Sequence, residues 1–156
     1  MVFDIQALAV PRIGKDSGSR SLDNDERELF LRDHPALQIE HPAVTGAVAA
    51  LTSALAQDDS LPDALYEKVR ALREHTVERL PEVPEIIETG RARGRERAYT
   101  LVALCRAARI PARLAKGLVL RESANASLHF WAEVYQQDDW IPYDPVFGYR
   151  HTLLQN

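Results

Sequence analysis

Apolar positions recur at helical spacing over the first two thirds of the chain and alternate over the last third. Asp23 or Asn24 caps a short helix through about Arg32, and His34-Pro35 closes it, because a residue before proline avoids the helical region. From Pro42, the residues Val44, Val48, Leu51 and Leu55 fall at steps of four, three and four, which gives a helix with one buried stripe. Ser60-Leu61-Pro62 restarts the pattern, with Ser60 as the cap and Pro62 in the first turn. Leu65, Val69, Leu72 and Leu80 then line one face of that helix, Glu67, Lys68, Arg70 and Glu74 lie outside, and Pro81 and Pro84 end it. The stretch from Glu88 to Gly94 reads as a loop leading into a further helix of roughly Arg95 to Ala108, whose stripe is Ala98, Leu101, Val102, Cys105 and Ala108.

After Ile110-Pro111 the period changes. Pro111 to Leu120, Leu128 to Gln136 and Trp140 to Tyr143 read as strands, the last two joined by the turn-like Gln137-Asp138-Asp139. Helices first and strands afterwards predict an α+β fold, N-terminal helices packed on a small antiparallel sheet. The divisions expected are a strand-like stretch and polar linker over 1–21, one domain over 22–150 and a tail over 151–156. The strand-like Val2-Phe3-Asp4-Ile5 reads as the tail of something upstream.

Composition narrows the classes of function. The chain has 156 residues, 46% hydrophobic and 27% charged, which is ordinary material for one domain. Its net charge of -4 argues against broad nucleic-acid binding, which needs a cationic surface to displace counterions. Arg91, Arg93, Arg95 and Arg97 are a local exception, read either as a solvated loop entering a helix or as an anion or carboxylate site. One cysteine excludes an internal disulfide, and no apolar run approaches the ~20 residues of a membrane span. No metal-ligand spacing and no cofactor motif stand out.

The chemistry concentrates on two strands. His129, Trp131, Glu133 and Tyr135 share one face of the second strand, and Leu128, Phe130, Ala132 and Val134 share the other. A tight hairpin pairs position 136 with 139 and sets 131 opposite 144, which brings Asp144 diagonally to His129. An Asp beside a His is the orienting half of a nucleophile–base–orienter system, although Tyr143-Asp144-Pro145 also reads as a plain turn with Asp bonding nearby backbone. The nucleophile is the difficulty. Cys105, the sole thiol, lies on the apolar stripe, about 16 Å of helix beyond Gly94, far from the helix N-terminus that lowers a thiol pKa. There it behaves as a small hydrophobe.

These residues resemble a known family. Ala98 through Arg113 resembles the helix-and-strand core of transglutaminase-like proteins, which have a papain-type fold. His129-Phe130-Trp131-Ala132-Glu133-Val134-Tyr135 resembles their histidine strand, and Trp140-Ile141-Pro142-Tyr143-Asp144-Pro145 their aspartate strand. In that family the catalytic cysteine opens the helix after a Gly-rich loop; counted back from Ile110-Pro111-Ala112-Arg113, its place falls on Gly94. The resemblance thus implies a pseudo-triad of Gly94, His129 and Asp144, with base and orienter kept and no attacking atom for a thioester. It implies a pseudoenzyme whose cleft, lined by Gly94, Arg93, Arg95, His129, Trp131, Glu133 and Asp144, binds a peptide or protein segment and needs no cofactor. The alternative is an active hydrolase or transglutaminase using Cys105 or a water activated by His129.

A narrower resemblance, over Asp33 to Val44 and Lys116 to Leu120, is to the inactive transglutaminase-like domain of bacterial membrane proteins fused to a seven-helix membrane region. It implies a periplasmic setting, with the membrane reached only through regions outside this chain.

Overall fold

The computed structural model describes residues 21–74, 80–120 and 126–150. Asp23 accepts from the N–H of Glu26 at 2.8 Å while the Glu26 carboxylate accepts from the N–H of Asp23 at 3.1 Å. This reciprocal cap opens α1 (Asn24–Leu31). His41 caps α2 (Pro42–Ala54) through its ring Nδ1, which accepts from Ala43 N–H at 3.2 Å. Ser60 caps α3 (Leu61–Arg70), which buries Leu65, Tyr66 and Val69. Then follow α4 (Val83–Thr89) and α5 (Gly94–Ala107).

The strands β1 (Ala112–Leu120), β2 (Ala126–Gln136), β3 (Asp139–Asp144) and β4 (Tyr149–Arg150) form one antiparallel sheet in the order β1-β2-β3-β4. Gln136 pairs with Asp139 and Ala132 with Tyr143, the expected register. The two residues between, Gln137 and Asp138, both have positive φ, 49° and 61°, as a tight two-residue hairpin of right-handed twist demands. This is the α+β architecture expected.

The core is built around α5. All of Glu96–Ala98 and Thr100–Cys105 are buried, so the helix is covered on nearly every side rather than along one stripe. It packs against β2 and β1 on one flank and against α2, α3 and α4 on the others. Val44, Leu65, Val69, Leu101, Leu104, Ala132 and Val134 are fully buried there, each valine and leucine contributing roughly 1.5–3 kcal/mol of transfer free energy.

Three expectations need correction. The helix begun at Ser60 does not run to Leu80: α3 stops at Arg70, and Leu80 is 51% exposed instead of lining a buried face. The chain leaves helical geometry because Arg73 pairs with the 90–92 segment, its N–H donating to Gly90 O and its C=O accepting from Ala92 N–H, both at 2.9 Å. Meanwhile the Arg97 guanidinium takes the carbonyls of Val69 and Arg70 at 3.0 Å and Leu72 at 2.5 Å, satisfying the helix end from outside. Second, Pro84 ends nothing. It sits in the first turn of α4, where its missing N–H costs no hydrogen bond and its fixed φ suits the helix, so Glu88 and Thr89 are helical rather than loop. Third, β4 was not foreseen, being two residues with no alternating pattern to announce them.

Candidate functional site

His129 stands on β2 directly opposite Gly117 of β1. A Cβ there would meet the Trp131 ring at 3.1 Å, a tight approach, so the glycine gives the indole room to lie across β1. The imidazole lies between two aromatic rings, Trp131 at 6.1 Å and Phe147 at 4.2 Å between centroids, both nearly parallel to it. Its Nε2 meets Asp144 Oδ2 at 2.5 Å, the contact expected from the diagonal register. Both side chains are largely buried, 15% and 11% exposed, so the bond is sheltered from competition by water.

Asp144 has a second task. Its Oδ1 accepts from the N–H of Val146 at 2.9 Å and of Phe147 at 3.0 Å, and its backbone carbonyl accepts from Gly148 N–H at 2.9 Å. Gly148 takes φ +80°, the left-handed conformation that glycine adopts without strain. The turn Pro145–Gly148 between β3 and β4 is thereby tied to the carboxylate that orients His129. The catalytic-looking and turn-forming readings of Asp144 are both realised, one on each oxygen.

Gly94 is the first residue of α5, at the helix end where unpaired N–H groups and the dipole favour negative charge. The Glu96 carboxylate takes the Arg93 N–H at 2.6 Å, one half of a capping box. No side chain projects from position 94. A Cβ built there would touch Val146 Cγ2 at 3.4 Å, an ordinary van der Waals contact, and Gly94 is not among the positive-φ residues. Neither crowding nor backbone conformation demands glycine. Beside it opens a cavity of about 370 Å³ lined by Arg70, Glu74, Gly94, Arg97, Pro145 and Val146.

Cys105 is remote from this chemistry. It is fully buried in the core between α5 and its neighbours, and burial alone pushes its thiol pKa up to about 12. A thiol held neutral in this way is a poor nucleophile. Among the described residues no group of three or more His, Cys, Asp or Glu is placed to hold a metal ion.

The Pro145–Gly148 turn thus links Gly94 on one side, through Val146, with His129 on the other, through Phe147; Trp131 and Asp144 complete the cluster. Glu133 stands apart. It is four residues along β2 from His129, about 13 Å of strand, and its carboxylate pairs with Arg113 Nε at 2.6 Å. The Arg113 guanidinium in turn lies 4.2 Å over the Trp140 ring, in a cluster with Phe30 and Tyr135. Arg93 and Arg95 flank Gly94, the first half-buried and the second exposed. Arg97, by contrast, is a buried structural clamp on α3, a role that neither reading of the arginine run foresees. The reading of the sequence missed Val146 and Phe147, although Asp144-Pro145 followed by Gly148 is a recognisable turn signature.

Residues 43–145, more than half of the chain, match the model of the transglutaminase-like superfamily. Among solved structures, a proposed cysteine protease from Cytophaga hutchinsonii superposes with a TM-score of 0.66 at 21% identity, over 80% of this chain and 43% of that one. The periplasmic domain of TgpA from Pseudomonas aeruginosa, in two structures of which one is bound to ethylmercury, superposes with a TM-score of 0.61 at 25% identity. That match covers 81% of this chain and 50% and 49% of those. The chain therefore spans about half the length of the solved structures it resembles. No curated protein matches it.

Proposed function

The chain belongs to the transglutaminase-like superfamily, and on that footing we propose that it is a catalytically silent member that recognises a peptide or protein segment in the former active-site cleft. The observation that carries this reading is the bare backbone at position 94, linked through the Pro145–Gly148 turn to an assembled His129–Asp144 pair. Acyl transfer through a covalent acyl-enzyme needs a sulfur or oxygen atom within reach of the general base, and glycine supplies neither. The sole cysteine does not substitute for it, being buried and held protonated. We further propose an extracytoplasmic setting within a larger bacterial membrane protein; the likeness to a periplasmic domain supports it.

The assembled pair favours one competing reading, a hydrolase in which His129 activates water. Incorporation of a fluorescent amine into casein and hydrolysis of a peptide library test both. The expected result is no turnover above a protein-free blank. Turnover abolished by iodoacetamide would restore Cys105 as a nucleophile; turnover indifferent to alkylation but lost in His129→Ala would establish the water route. The setting is tested by a reporter active only outside the cytoplasm, fused after residue 150 of the full-length gene product.

A further inference from the structure

A second cavity, of about 220 Å³, opens between α5, β1 and the loop that joins α1 to α2. His34, Leu37, Tyr99, Val102, Arg106 and Leu114 line it, and none of them borders the cavity beside Gly94. Residues 99, 102 and 106 are three and four apart on α5 and so share one face. Leu37 and Val102 are buried and Leu114 is half-buried, which makes the floor apolar.

The polar groups of the lining are donors left over from the fold. Arg106 is half-buried, and two of its five N–H groups are engaged: Nε donates to Ala112 O at 2.9 Å and Nη1 to Arg32 O at 2.6 Å. Both acceptors are neutral, and among the described residues the guanidinium makes no ion pair. The charge of Asp33 reaches it, but Asp33 Oδ1 is taken by the N–H groups of His34 at 2.7 Å and Ile39 at 3.0 Å. The Tyr99 hydroxyl also has no hydrogen-bond partner among the described residues. His34 Nδ1 accepts from Ala36 N–H at 3.1 Å, which puts the ring proton on Nε2, a third donor. No carboxylate side chain lines the cavity. A cation short of counter-charge, two further donors and an apolar floor suit an anion that carries an apolar body.

Size narrows the class. An apolar cavity of about 150 Å³ takes a benzene, so this one has room for one ring and a carboxylate. Pockets for drug-sized molecules start at roughly 300 Å³.

We propose that this cavity binds a small carboxylic acid with an apolar body of about one ring, its carboxylate on Arg106 and Tyr99 and its ring on Leu37, Val102 and Leu114. The His34 N–H stands at the exposed rim. The site is independent of what the Gly94 cleft recognises.

The test is a titration of the ¹⁵N-labelled chain with benzoate at constant pH and ionic strength. Benzyl alcohol and benzylamine keep the ring without the acid, and acetate keeps the acid without the ring. Benzoate is expected to shift the amides of Val102, Arg106 and Leu114 saturably, with each of the other three at least about tenfold weaker. Tyr99→Phe, which removes only the hydroxyl, should weaken benzoate about threefold, and Arg106→Gln about tenfold or more. Leu114→Phe, which fills the floor, should abolish the shifts. If Arg106→Gln does not fold, because Arg106 also holds two carbonyls, the Tyr99 and Leu114 variants decide. Equal binding of benzyl alcohol would reveal a merely apolar hole, and equal binding of acetate a merely cationic surface; either overturns the site. So does the absence of saturable shifts with benzoate, or benzoate binding unchanged in Tyr99→Phe and Leu114→Phe.

Discussion

At the scale of single residues, the contrast between Gly94 and Gly117 decides what each is for. Gly117 makes room for an indole, so Gly117→Ala pushes a Cβ into Trp131 at 3.1 Å and should cost about 1–3 kcal/mol in urea unfolding. Gly94 makes room for nothing that a methyl group would displace, so Gly94→Ala should be neutral or stabilising by up to about 1 kcal/mol, since alanine is the better helix former. Gly94→Cys should create a thiol with a lowered pKa, because it stands at a helix N-terminus. Native iodoacetamide should label that thiol quickly while leaving Cys105 untouched until the chain unfolds; fast labelling of Cys105 in the native wild type would contradict the burial described. Cys105 also carries a pH signature. Its pKa is about 12 in the folded chain against an ordinary 9, so its stabilisation is complete below about pH 9 and declines as pH climbs toward 12. The decline is at most about 1.4 kcal/mol per pH unit. Unfolding free energies at pH 8 and 10 should show the loss, and Cys105→Ala should flatten it.

At the scale of elements, legibility followed periodicity. The α2 stripe, the Ser60 cap and the β2–β3 register were readable because each rests on a local pattern, and the register in turn placed Asp144 beside His129. The end of α3 was not readable, since a side chain 27 residues away settles it: Arg97 holds the carbonyls of Val69, Arg70 and Leu72. Nor was α4, a short helix introduced by two prolines that look like breakers. Arg97→Met keeps the bulk of the stem but takes the guanidinium donor from three carbonyls, of which Val69 alone retains a backbone donor, the Leu72 N–H, so it should destabilise by about 2–4 kcal/mol; a loss below 0.5 kcal/mol would show that water replaces the guanidinium without penalty. The site was half legible. His129 and Asp144 lie on regular strands, whereas the residues covering them lie on a turn, where hydrophobic pattern carries no information.

At the scale of the whole molecule, α5 touches both the sheet and all four other helices, so no part of the described fold has a core of its own. Unfolding should therefore be one cooperative event. The two tryptophans test this, because Trp131 sits beside His129 and Trp140 in the Arg113 cluster near the β2–β3 turn. Single-tryptophan variants Trp131→Phe and Trp140→Phe should give fluorescence transitions with superimposable midpoints once corrected for their own stabilities. A separated, earlier transition for Trp131 would mean that the cleft melts independently of the core.

On the proposed reading of the chain as silent, Asp144 carries a lesson about what its persistence means. Once a nucleophile is gone, selection on turnover relaxes, and a catalytic acid should be free to drift. This carboxylate is not free, because the hairpin above it hangs from the oxygen that does not face His129. An aspartate persisting at this place in related sequences is therefore no testimony that the enzyme still works; architecture alone suffices to keep it.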